Sequence, residues 1–192
     1  MRQDLDRLAS RLGGDGGPRT RRMAALWRYT ADLLAQVRAH NEGEMDILWP
    51  MAAAAAGQAV DIAPLTDDRH AVANALSRAA RALDAVRAGS GAPGDLQASL
   101  REVCDLLDEH ITDEELQMFP AIRRYLRAGT YRWCEKQMQR HAPLRDRWFA
   151  PPWLARHAHR DELRRLRATC VWPDRILLAC PGRNPTRKEE KK

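Results

Sequence analysis

The stretches "HNEGEMDILWP" (residues 40–50) and "HITDEELQMFP" (residues 110–120) state one phrase twice. Each has a histidine, a glutamate four residues on, an aromatic five after that, and then proline. Residues four apart on a helix lie one turn apart on the same face, roughly 6 Å along the axis. His40 with Glu44, and His110 with Glu114, therefore each aim an imidazole and a carboxylate in one direction. A single such pair is more often an ordinary surface contact. Here both pairs continue stripes of apolar residues, so both are expected to face inward, where an ionised carboxylate is costly unless paired or bound to a metal. Imidazole with carboxylate suits iron, manganese or zinc. Duplication of a purely structural element would preserve the apolar partners as well as the polar ones, and those match less well, so metal binding is the favoured reading.

Outward from the two phrases, apolar residues recur at helical spacing. Met1, Leu5, Leu8 and Leu12 predict a short first helix, ended by "GGDGGP". A long helix is expected from about Thr20 to Trp49, with Leu26, Tyr29, Leu33, Val37, His40, Glu44 and Ile47 near one face and Pro50 placed to kink or end it. "MAAAAAGQAVDIAP" reads as a loose connection. Thr66 is the expected N-cap of a third helix, with two acids suited to its positive end. His70, Ala73, Leu76, Ala80 and Leu83 are assigned to its inner stripe, and the helix is expected to stop near Gly89. After "GSGAPG" a fourth helix is expected from about Asp95, carrying Leu96, Leu100, Val103, Leu107, His110 and Glu114 inward, to Pro120 or on to Leu126. This is the pattern of an all-α, up-down-up-down four-helix bundle over residues 1–128. Residues 129–192 differ in kind. They hold Trp133, Trp148, Trp153 and Trp172, a shorter helix around Asp161 to Thr169, and from about residue 183 a basic tail, "RNPTRKEEKK", of disordered composition. They are expected to form a Trp- and Arg-rich helical extension that packs on the bundle.

The rest of the chain narrows the function. It has 192 residues, four cysteines without a CxxC pair, and a formal charge of +6 that comes mostly from arginine. No secretory leader pattern opens the sequence, so reduced thiols in a cytoplasm are expected, with Cys104 buried. No apolar run approaches the ~20 residues of a membrane span. HExxH and GxxxxGK[ST] are absent, which excludes a zincin protease and a phosphate loop. Ferritin-like di-iron proteins use Glu-x-x-His, with glutamate first and a spacing of three, unlike both phrases here. His157 and His159 are two apart and cannot share a helix face, so with His141 they are left out of the site.

With His70 between them, the two phrases resemble the hemerythrin-like HHE cation-binding family over about residues 1–128. The resemblance implies a four-helix bundle around a non-haem di-iron centre. It implies that His70 and His110 ligate one iron and His40 the other, with Glu44 and Glu114 bridging. "FAPPWLARHAHRDELRRLRATCVWPDRILL" is similar, less specifically, to the tail of an actinobacterial subgroup. Three departures stand out. Asn41 replaces the second histidine of the family's doublet, Asn74 stands where hemerythrins proper carry a further histidine, and the first helix has none. In the family that histidine falls just upstream of the stretch "MRQDLDRLA". A start assigned too late and a genuine loss of the ligand both predict this sequence.

The expected ligand set is therefore His40, Glu44, His70, His110 and Glu114, holding iron (two ions or fewer, with manganese or zinc as alternatives). The expected function is binding or sensing of O2, NO or peroxide, or iron buffering, rather than catalysis, since no general acid or nucleophile pattern accompanies the site. A metal-free or metal-depleted helical interaction module is the rival, made credible by the missing histidine. Nucleic-acid binding through arginine-rich helices such as "RDELRRLR" is a lesser one.

Overall fold

The computed structural model describes residues 2–12, 20–59, 63–142, 153, 155, 159 and 161–164. Among them the chain is helical, without a strand. In order, the elements are α1 (Arg2–Leu12), α2 (Thr20–Gly43), a π-helical turn (Glu44–Leu48) and α3 (Trp49–Ala56). Then come α4 (Ala63–Arg87), α5 (Pro93–Asp113), a second π-helical turn (Glu114–Met118), α6 (Phe119–Tyr125) and α7 (Ala128–His141).

Neither proline of the repeated phrase ends its helix. An interior proline lacks the N–H that would bond four residues back, and its ring collides with that carbonyl. In both phrases the turn before the proline is widened. The Trp49 N–H bonds to the Glu44 carbonyl and the Phe119 N–H to the Glu114 carbonyl, five residues back in each case. Such single π turns inside α-helices often mark functional sites. Here they open at the two glutamates, and the helix runs on past Pro50 and Pro120. The alanine run expected to be a loose connection is consequently helical to Ala56, where Gly57 turns the chain with φ +58°.

The other ends follow from local chemistry. α4 begins at Ala63, so Thr66 lies inside the helix and does not cap it. Gly89, at φ +73°, takes the left-handed turn after α4, and the Ser90 N–H closes back onto the Ala85 carbonyl. α5 starts at Pro93, ahead of Asp95, because proline's fixed φ suits the first helical position.

Packing places α1 against α2 and α5, and α4 against α2 and α5, so each of these four helices has two neighbours in a closed ring. Their shared interior holds Leu5 and Leu8 (α1), Leu33 and Val37 (α2), Val72, Leu76 and Leu83 (α4), and Leu96, Leu100 and Val103 (α5), all buried. Burying each such side chain contributes about 1.5–3 kcal/mol. Past the π turns, Trp49 and Ala52 pack with Met118 and Ile122. α7 closes over this end through Cys134, which packs with Leu48 and Leu126. α2 and α7 approach closely at Gly43, where a Cβ would meet Met138 Cγ at 3.1 Å. The chain divides into two compact units, Met1–Ala142 and Pro143–Lys192, so α7 belongs with the helices before it. In the second unit Trp153 is buried and residues 161–164 are helical, while Trp148, Trp172 and the basic tail lie outside the described residues. Trp133, on α7, is 50 % exposed.

Two substitutions probe the interior. Leu76→Ala, at a fully buried position, is expected to cost about 2–5 kcal/mol of unfolding free energy. Leu116→Ala, where the side chain is 70 % exposed, should fall within about 0.5 kcal/mol of the parent. Denaturant titration measures both.

Candidate metal centre

The two π turns set Glu44 and Glu114 at corresponding places in the two halves of the chain, and both carboxylates are buried. One turn before each lies its histidine. His110 is buried and places Nε2 3.0 Å from Glu114 Oε1 and 4.0 Å from Glu44 Oε2. His40 places Nε2 3.3 Å from Glu44 Oε1, with half of its side chain exposed. The exposure is toward a cavity of about 940 Å³ that His40, Glu44 and Glu114 line together with Leu48, Phe119 and Tyr131. Ligand atoms of Glu44, His110 and Glu114 all lie within 4.8 Å of one another, a grouping that could hold a metal ion.

His70 is not brought to this place. Its side chain is exposed, and the residue before it, Arg69, goes in instead. Arg69 is 1 % exposed, and its Nη2 lies 2.7 Å from Glu114 Oε1 and 3.4 Å from Glu44 Oε2. Its guanidinium carbon sits 4.2 Å from the centroid of the Trp49 ring, the aromatic of the first phrase. Asn41, the departure from the histidine doublet, is buried and donates from Nδ2 to the Arg69 carbonyl at 3.5 Å. The aromatic of the second phrase, Phe119, lines the cavity.

Helical phase explains the exchange. Arg69, Val72, Leu76, Ala79 and Leu83 are all buried, and Arg69 is seven residues before Leu76, about 20° off its direction. His70 is six residues before Leu76, which puts it about 240° around the helix at 3.6 residues per turn. An arginine in phase with a buried stripe is the signal in the sequence that marked this position.

The charges shape one another. Burial and the neighbouring Glu114 carboxylate push Glu44 up to about 8, against the pull of Arg69. Burial acts to raise Glu114 as well, but hydrogen bonds from His110 and Arg69, with their charges, outweigh it and hold the carboxyl below its ordinary value. Burial in the cavity wall lowers His40, and the Arg69 and His110 charges act the same way against Glu114. Around this cluster Arg69 Nε and Nη1, His110 Nδ1, Asn41 Oδ1 and Trp49 Nε1 are buried without a hydrogen-bond partner among the described residues. Two carboxylates and two imidazoles are a donor set that fits a divalent metal ion. Arg69 supplies one positive charge for the two carboxylates: it sits closest to Glu114, and the raised Glu44 carboxyl is the one that holds its proton at neutral pH without a metal.

The cluster makes a direct stability prediction for metal-free protein. Glu114→Ala removes the shortest contact of a buried guanidinium and should cost about 3–5 kcal/mol. His70→Ala should change stability by less than about 0.5 kcal/mol. Urea unfolding in the presence of a chelator separates the two outcomes.

Among the described residues no helix is long and apolar enough to cross a membrane. No curated protein matches the chain, and no solved structure does. The family model of the hemerythrin HHE cation binding domain matches residues 1–122, which include α1 and both repeated phrases. The chain belongs to the hemerythrin HHE cation-binding family.

Proposed function

We propose that this chain is a non-haem iron protein built as a hemerythrin-type four-helix bundle, which binds or senses a small ligand such as O2, NO or peroxide. One observation carries the reading. Two buried carboxylates, Glu44 and Glu114, meet two imidazoles, His40 and His110, at the wall of a cavity. A ferrous ion bound there supplies redox chemistry toward such ligands.

The protein's own residues do the rest. The carboxylates would offset the charge of the cation, and an imidazole beside them would add a nitrogen donor. Trp49, Ala52 and Met118, packed beyond the π turns, keep bulk water from that side. The cavity, with Leu48, Phe119, Ile122, Leu126 and Met138 in its walls beside the charged Arg123, Arg132 and Glu135, offers a small ligand an approach to His40 and the carboxylates.

A second reading has an observation of its own. Arg69 already pairs with both carboxylates, so a metal-free helical interaction module is a coherent use of the same fold. Nucleic-acid binding has less support. In "RDELRRLR", Asp161 and Arg164 pair with each other at the surface.

Metal content separates the first two readings. After anaerobic loading with ferrous iron and removal of unbound metal, elemental analysis of the parent protein should find iron. A Glu44→Ala, Glu114→Ala double variant should retain less than about a tenth of it, since charged donors dominate the affinity. A parent protein that takes up neither iron, manganese nor zinc would leave the metal-free module as the function.

A further inference from the structure

We infer that Arg69 takes the place of one metal ion, so that this chain holds a single ion, on the cavity side of Glu44 and Glu114. The inference rests on the metal-binding reading above and goes beyond it by assigning the count and the side.

Glu44 Oε2, Glu114 Oε1 and His110 Nε2 converge on one side of the cluster. Arg69 Nη2 is within 2.7 Å of one of these oxygens and 3.4 Å of the other. A cation on that side would have to displace a guanidinium that is fully buried and lies over the Trp49 ring. Guanidinium stays protonated under all ordinary conditions and fits carboxylates through its planar fork. Its charge is therefore permanent, and it neutralises what a metal would neutralise.

The other side differs. Glu44 Oε1 faces His40 Nε2, and His40, Glu44 and Glu114 open on the cavity, whereas His110 and Arg69 are absent from its lining. An ion reaching the cluster from solvent meets this side first. The formal charges agree with a count of one. Once a metal has displaced the Glu44 proton, two carboxylates and one guanidinium leave a single negative charge, which one divalent ion more than satisfies. A second divalent ion would leave a buried cluster with three net positive charges, a costly arrangement in a low-dielectric interior. His70, the histidine of α4, is exposed and does not reach the carboxylates.

The test compares the full chain with Arg69→His and Arg69→Met after anaerobic ferrous loading, each checked for helix content by circular dichroism. Arg69→His removes the permanent charge and returns an imidazole, and Arg69→Met removes the charge while filling much of the space. The parent should bind about one iron per chain, and Arg69→His should approach two. Metal should also raise the melting temperature of Arg69→Met more than that of the parent, because its carboxylates lack any other counter-charge. In the parent background, His40→Ala should lose the ion and His110→Ala should keep most of it. Two irons per chain in the parent would overturn this inference while leaving the iron-binding function intact. A count near one in all three proteins would overturn it too. No metal in the parent together with none in Arg69→His would remove the function and this inference together. No metal in the parent but metal in Arg69→His would overturn the single-ion count.

Discussion

Two carboxylates buried side by side in a helical interior are the constraint around which this structure is arranged. Glu44 and Glu114 come from segments seventy residues apart and are each about 5 % exposed. Like charges that close cannot both stay ionised without a counter-charge. The molecule supplies one in Arg69, reaching Glu114 at 2.7 Å and Glu44 at 3.4 Å. Burial of the arginine is itself costly, and it is offset by those pairs, by the Trp49 ring beneath it and by Asn41 holding its backbone. Membership of a cation-binding family and an internal arginine cation thus meet at one point.

The backbone that presents the carboxylates is also unusual in a specific way. In both phrases the glutamate opens a π turn, and in both a proline follows the residue that closes it. The widened turn accommodates the proline ring and lets each helix continue to α3 or α6. Those continuations carry Trp49, Ala52, Met118 and Ile122, which seal the cluster from one end. Proline here sets the local geometry of the site while the helical course is kept.

On the other end the cluster meets a cavity, closed on one side by α7. Gly43, immediately before Glu44, lets α7 come close enough for Met138 to lie against α2. Tyr131 of the same helix lines the cavity, and burial, followed by the Glu135 and Glu44 charges, raises its hydroxyl above the ordinary value. A helix read from sequence as part of an appendage is, in the folded chain, part of the unit that holds the candidate site.

The repetition of His, Glu, aromatic and proline determined from sequence alone that two helices would each present an imidazole and a carboxylate, and the structure brings those four side chains to one cluster. The apolar stripes of α1, α2, α4 and α5 were legible for the same reason: Leu5, Leu33, Leu76 and Leu100 recur at helical spacing and are all fully buried. Arg69 was not read, because arginine is usually solvated and a local pattern does not reveal a counter-charge arriving from two other helices. His70 is a donor by residue type, yet helical phase turns it outward. The course of the chain past Pro50 and Pro120 likewise depends on a π turn, which spacing does not announce. What tertiary structure decided is which cation faces the carboxylates, since only the packing of α4 against α2 and α5 carries Arg69 to within hydrogen-bond distance of both.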